Sequence, residues 1–316
     1  MADQSMENKD SNYKTDIACE LLRMRLTQAI INEHYKNKAF KVPIHLAFGH
    51  EAIAIAVSEM MSDDDRLIVS HRNIHYNMAR GAQLRQLMDE YLLKPEGLAG
   101  GKQGSMNLSN PERGIPYASS ILGNNFGVAV GAALAIKAKK QEAVACVVTG
   151  DGAMEEGSFY EALLMFSGQR MPSVIIIENN EWSLASTIEE RRAEIDVKSL
   201  AQGTGAGYVR LTGNNVFDYI DKMQAVRSEA LKDKKCIVVE VILKSLGDWR
   251  LKTDDFPDGK FINYHAGPAP TIELEDWPVI HDNEWDPLAV LSKLPQSIDL
   301  KQKAVEMKAA LLGAIT

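Results

Sequence analysis

Three cysteines, Cys19, Cys146 and Cys236, are all that this 316-residue sequence contains. They are too few and too far apart for a disulfide framework or a paired zinc-ligand motif. Two of them fall in apolar strand patterns and read as reduced core residues. Blocks of lysine or arginine are also lacking, and acidic residues outnumber basic ones 43 to 35, for a net charge of −8. Nucleic acid is therefore not an expected partner. The most apolar small-residue run, Gly127–Ile136, is ten residues long, whereas a membrane-spanning helix needs about 20, so no membrane partner is expected either. The absence of internal repeats and low-complexity tracts excludes a solenoid. The first thirteen residues, Met1–Tyr13, are polar and carry Asp3, Glu7 and Asp10, unlike a secretory signal or an acid-poor transit peptide. The expectation is a disordered polar arm (residues 1–13) on a cytoplasmic protein.

Apolar residues make up 45% of the chain, enough for the core of one large or two ordinary domains. Residues 147–186 carry the most legible chemistry. The apolar run Ala145–Val148 leads into Gly150-Asp151-Gly152, which reads as a buried parallel strand opening into a tight turn, with a helix over Glu155–Gln169. A second strand, Val174–Ile177, ends at Asn179-Asn180. Successive strands of one parallel sheet end on the same edge, so Asp151 and Asn180 can meet there, where open α/β sheets bind ligands. Mg2+ takes near-octahedral oxygen coordination. Asp151 offers a carboxylate, Asn180 an amide oxygen and Trp182 a backbone carbonyl, which leaves room for a diphosphate and water. Gly150 and Gly152 let the backbone turn and approach phosphates. Taken alone, Gly-Asp-Gly is an ordinary turn in which Asp151 could merely cap the helix; the pairing with Asn-Asn carries the metal reading.

This arrangement resembles the thiamine diphosphate motif. Its surroundings, G-D-G-A-M-E-E-G-S-F-Y-E-A-L and I-I-I-E-N-N, resemble the alpha subunit of the 2-oxoacid dehydrogenase first-component family, although Glu155 stands where that family has Asn. Other motifs follow in the family's order from about Tyr13 to Leu243. V-P-I-H-L-A-F-G-H-E-A-I resembles the family's C-H-L-x-x-G-Q-E-A, which puts His45 at the active-site histidine; the alternative is a histidine satisfied within a turn. His50, where the family has Gln, reads as a helix-start residue. S-H-R-N-I-H resembles the family's H-R-x-H-G-H or Y-R-x-H-G element, which implies that His71 and Arg72 contact the cofactor's diphosphate, with Ile74 where the family has its next histidine. Ala79–Leu93 reads as a helix, and the glycine-rich Gly97–Asn107 after it resembles K-G-x-G-G-S-M-H, with Asn107 replacing the final histidine. The resemblance implies backbone support for the cofactor's aminopyrimidine ring near Ser120 and Leu122. Cofactor binding by Gly150, Asp151, Gly152, Ala153 and Asn180 follows from it as well. Gly123, Gly127 and Gly131 recur every fourth residue on one helix face and suit close packing, either between subunits or within one domain.

After Leu243 the sequence departs from the family. In place of Y-R-x-x-G-H-S it runs K-S-L-G-D-W-R-L-K-T-D-D-F-P-D-G, a charged loop with no histidine until His265. A histidine at that point is closer to transketolase-like enzymes, which makes His265 a candidate second catalytic histidine or, equally, a solvent-facing loop residue. The expected fold is an α/β domain over residues 14–271, a parallel sheet with helices on both faces. A C-terminal helical extension (272–316) carries helices near Pro287–Leu294 and Leu300–Leu312. The implied cofactors are thiamine diphosphate and Mg2+, and the implied activity is cleavage of the C–C bond next to a carbonyl in a 2-oxoacid with acyl transfer. A split carboligase or transketolase-like enzyme and a non-catalytic regulatory subunit are the alternatives. The implied partner is a beta subunit bearing the pyrimidine-binding domain and an activating glutamate, in an α2β2 assembly.

Overall fold

The computed structural model describes residues 2–316, with side chains described from Ser11 onward except at positions 250 and 251. In chain order the elements are α1 (Ala2–Lys36), α2 (Glu51–Met60), β1 (Arg66–Ser70), α3 (Ile74–Ala79), α4 (Leu84–Tyr91), β2 (Tyr117–Ser119), α5 (Asn124–Lys139), β3 (Ala145–Gly150), α6 (Gly157–Gly168) and β4 (Ser173–Asn179). A small hairpin of β5 (Trp182–Ser183) and β6 (Ser186–Thr187) follows, then α7 (Ile188–Arg191), α8 (Val197–Gly203), β7 (Gly207–Leu211), α9 (Val216–Asp233) and β8 (Cys236–Ile242). The chain closes with β9 (Asp248–Thr253), β10 (Phe256–Asn263), α10 (Pro287–Ser292) and α11 (Leu300–Gly313).

Six strands form one parallel sheet in the order β2-β1-β3-β4-β8-β7. Side chains alternate across each strand. Cys146, Val148, Val174, Ile176, Ile237 and Val239 face a core with α1, α2 and α9, while Val147, Ile175, Ile177 and Val238 face a second core with α5, α6 and α8. Both faces are thus covered, as continuous apolar strands require, and the expected parallel α/β fold is the observed one. Cys146 and Cys236 are free and buried. No helix among the described residues is long and apolar enough to cross a membrane.

Four local expectations are corrected. Residues 2–13, expected as a disordered arm, belong to α1; polar as they are, they include helix formers such as Ala, Gln, Met, Glu and Lys and contain no Pro or Gly. The single helix expected between Ala79 and Leu93 is split, because Gly81 takes φ +97° and ends α3 before α4 begins. The helix expected to start at Glu155 is preceded by a 3-10 turn over Asp151–Glu155. Finally, the charged loop expected between Lys244 and Asp258 contains an antiparallel hairpin, β9 with β10.

The C-terminal segment is fastened by a buried charge cluster. Arg25 on α1 donates to Glu51 at the start of α2 (2.7 Å) and to Asp286 at the N-cap of α10 (3.0 Å). All three side chains are 0% exposed. Asp286 also accepts the backbone N–H groups of Ile280 and Leu288, so the two carboxylates share one guanidinium and hydrogen bonds offset the remaining charge, as burial demands.

Candidate active site

The C-terminal ends of β3 and β4 lie side by side, with Gly150 opposite Glu178 in the ladder. A cavity of about 290 Å3 opens at this edge. His45, His71, Arg72, Ser120, Leu122, Gly150, Gly152, Ala153, Asn180, Trp182 and His265 all line it. Asp151 sits between two lining glycines with its side chain buried. The residues assigned to catalysis, cofactor and metal from the sequence are therefore brought to one place, from stretches up to 220 positions apart, His45 to His265.

The histidine wall is assembled by backbone stitching. The segment Ile44–Gly49 has no regular structure of its own, and its amides are taken up from outside: Leu46 N–H by the Tyr264 hydroxyl (3.3 Å), Ala47 N–H by Gln28 Oε1 (2.6 Å) and Gly49 N–H by Glu51 Oε2 (2.8 Å). Gly49 has φ +91°, and a Cβ there would lie 2.3 Å from the Lys244 carbonyl oxygen, so only glycine allows this approach. Arg72 ties the wall together by donating to the carbonyls of Leu46 and His265. The ring centroids of His45 and His71 are 4.8 Å apart, and those of His45 and His265 are 5.1 Å apart.

Burial, reinforced by the Arg72 charge, lowers the pKa of His45 to about 2, of His71 to about 3 and of His265 to about 4. All three are neutral at pH 7. Nδ1 of His45 is buried without a hydrogen-bond partner, so this histidine is not one satisfied within a turn. His265 borders the cavity and is partly buried, so it is not a solvent-facing loop residue. Arg72 itself is buried, which lowers its pKa, and among the described residues it has no carboxylate at ion-pair distance. A buried cation with no paired charge favours an anionic ligand.

On the opposite side, Asp151 Oδ2 accepts from Arg191 at 2.6 Å while Oδ1 is buried with no partner. Burial raises the Asp151 pKa to about 6 against the opposing pull of Arg191. A Cβ on Gly152 would fall 2.5 Å from the Ser183 hydroxyl, whereas one on Gly150 would meet nothing within 4 Å. The first glycine thus lets the cavity reach the backbone, and the second lets the β5 turn close on it. An orphaned carboxylate oxygen at a cavity that Asn180 and Trp182 also line offers hard-oxygen chemistry, which fits a divalent cation such as Mg2+.

Several contributors escape a reading by motif. Glu178, the single charged residue closing the apolar run of β4, accepts from His75 (2.9 Å), Tyr76 (2.8 Å) and His50 (3.1 Å). Burial opposes its charge, but His75 and His50 outweigh that and hold its carboxyl well below the usual range. His50 does stand at the N-cap of α2, yet its side chain makes no cap. Glu90 on α4 accepts four amides, from Ala99, Gly101, Gln103 and Gly104 at 2.8–3.0 Å, so the glycine-rich stretch is clamped. Asn107, at the end of that stretch, accepts the Ser120 N–H at 3.1 Å. On α5, Gly127 and Gly131 face open space, whereas a Cβ on Gly123 would lie 2.5 Å from the Ser158 hydroxyl, so of the three glycines only Gly123 serves close packing within this chain.

Fold and site together define an α/β chain with a cavity suited to an anionic ligand at the C-terminal edge of a parallel sheet. The chain belongs to the dehydrogenase E1 component family, whose model matches residues 20–244. It is 29% identical over 197 residues to the alpha subunit of acetoin:2,6-dichlorophenolindophenol oxidoreductase of Bacillus subtilis (strain 168), an alignment covering 62% of this chain and 59% of that one. It is 27% identical over 216 residues to the mitochondrial pyruvate dehydrogenase E1 component subunit alpha of Dictyostelium discoideum, covering 68% and 56%. The chain thus spans less than two thirds of the length of either relative. Among solved structures the fold is similar to that of a transketolase variant from Pichia stipitis, with a TM-score of 0.56 and 17% identity over 94% of this chain and 44% of that one.

Proposed function

We propose that this chain is the diphosphate-binding alpha subunit of a thiamine diphosphate-dependent enzyme that decarboxylates a 2-oxoacid and passes on the acyl group. One observation carries the reading: the Gly-Asp-Gly turn, the Asn-Asn turn and three neutral histidines beside a buried, unpaired arginine line a single cavity. When bound, thiamine diphosphate supplies an electron sink for the C–C bond that breaks. Asp151, Asn180 and the Trp182 carbonyl would hold Mg2+, and Arg72 and His71 would offset the diphosphate charge. The backbone near Ser120 and Leu122 would support the organic ring. His45 and His265, both neutral at pH 7, can accept or donate a hydrogen bond at a carbonyl oxygen and carry a proton to or from it.

A beta subunit would complete the site, in an α2β2 assembly, by contributing the pyrimidine-binding domain and its glutamate. The support within this chain is an uncovered apolar surface. Ile121, Leu122 and Leu134 are 68%, 48% and 40% exposed beside Gly127 and Gly131, and Leu164 on α6 is 59% exposed. Such a patch marks an interaction site.

The test is titration of thiamine diphosphate with Mg2+ into wild type, Asp151→Ala and Asn180→Ala, with the beta subunit present, alongside CO2 release from a 2-oxoacid. Wild type should bind and turn over, and each variant should lose at least tenfold in cofactor affinity while its circular dichroism stays unchanged. Wild-type affinity in either variant would refute the assignment.

A further inference from the structure

We propose that His50 and Ser245 are positioning residues that orient the Asn180 amide, keeping its oxygen rather than its nitrogen available to a cation. The inference rests on the reading of Asn180 as a metal ligand. The two ends of a side-chain amide have nearly the same shape, and only their hydrogen-bond partners decide which way it lies.

Here the partners form a directed chain. It starts at Glu178, whose two oxygens meet three groups, His75 Nε2, the Tyr76 hydroxyl and His50 Nδ1. A carboxylate only accepts, so His50 carries its proton on Nδ1. A neutral imidazole then presents Nε2 as a lone pair, and Ser245 Oγ lies 2.8 Å from it. The hydroxyl has one proton and gives it to Nε2, which leaves its oxygen to accept. The next contact is Asn180 Nδ2 at 3.0 Å from Ser245 Oγ, now fixed as the donor. The other end agrees independently: Asn180 Oδ1 accepts the Trp182 backbone N–H at 3.0 Å, and its second lone pair remains for a cation.

His50, Glu178 and Ser245 are 1%, 5% and 3% exposed, so bulk water does not readily replace a missing link. If one link reverses, Asn180 turns its N–H2 toward the cation site and the site loses a ligand. Both positioning residues stand where the sequence departs from its family's motifs. His50 replaces a Gln, and Ser245 lies in the segment that replaces the histidine loop.

The experiment measures the Mg2+ Kd by calorimetry, at saturating thiamine diphosphate and with the beta subunit present, and the melting temperature of the ligand-free chain. The variants are Ser245→Ala, Asn180→Asp and the two combined. Loss of a group that orients a metal ligand typically costs 10–100-fold in affinity, so Ser245→Ala should raise the Kd by at least tenfold. An aspartate has two equivalent oxygens, and its orientation no longer matters. In the Asn180→Asp background, Ser245→Ala should therefore change the Kd by less than about threefold. Equal weakening in both backgrounds would show a merely structural role and overturn the proposal, as would an unchanged Kd in Ser245→Ala. If Ser245→Ala does not fold, His50→Phe, which removes the acceptor for the Ser245 proton, takes its place with the same expectations. Wild type that fails to bind Mg2+ with thiamine diphosphate would overturn the functional reading itself and this inference with it.

Discussion

The three cavity histidines should make the ligand-free chain acid-labile well above the range where carboxylates titrate. In the unfolded chain each imidazole takes up a proton near pH 6.5, whereas the folded chain holds His265, His71 and His45 neutral down to about 4, 3 and 2. Their folded pKa values are depressed, so below pH 6.5 the unfolded state binds more protons and stability falls as pH falls. Asp151 works in the opposite sense. Its folded pKa of about 6 lies above the ordinary 3.8, so between these values the fold holds a proton that the unfolded chain does not. The net difference is about two protons between pH 6 and 4, or roughly 3 kcal/mol per pH unit. From pH 7.5 to 5 the loss comes to about 4 kcal/mol, a large share of an ordinary stability of about 5–15 kcal/mol. The melting temperature should drop by on the order of 10 °C. Urea unfolding followed by tryptophan fluorescence at pH 7.5, 6.5, 5.5 and 5.0 measures this. The triple variant His45→Gln, His71→Gln, His265→Gln should lose most of the slope. A wild-type chain equally stable at pH 6.5 and 5, or a triple variant with the full slope, would refute the reasoning.

Two further outcomes are expected. Arg25→Met leaves Glu51 and Asp286 buried and unpaired, which should cost about 3–5 kcal/mol and release the C-terminal segment; urea titration and limited proteolysis after residue 272 read both effects. Gly131→Leu should leave the isolated chain folded, because a side chain there meets open space. It should even stabilise α5 slightly, as glycine in a helix interior costs about 1 kcal/mol, yet abolish association with the proposed beta subunit in sedimentation.

The parallel sheet was legible because burial on both faces leaves a simple trace, runs such as Ala145–Val148 and Val174–Ile177 with no polar interruption. What misled was polarity elsewhere. The hairpin β9–β10 reads D-W-R-L-K-T-D-D-F, an alternation of apolar and polar residues around an Asp-Asp turn. That is a strand signal, but the density of charge hides it. The clamp by Glu90 is harder to read still. Four glycine-rich-loop amides converge on one carboxylate, and nothing in the spelling of α4 distinguishes that glutamate from a solvated one.

The site divides along the same line. Asp151 and Asn180 could be placed together from sequence because parallel strands share an edge, a rule of topology that needs no knowledge of side-chain contacts. Arg72 shows where such rules stop. Its motif points to a cation at the cavity, but the guanidinium also spends two N–H groups on the carbonyls of Leu46 and His265. It is thereby a strut between the segment before α2 and the segment after β10 as well as a source of positive potential. The same charge helps keep His45, His71 and His265 neutral. One residue thus sets both the shape of the histidine wall and its protonation state. Its removal should be felt first in the positions and pKa values of the three imidazoles, and an anion that neutralises it should raise all three toward the physiological range.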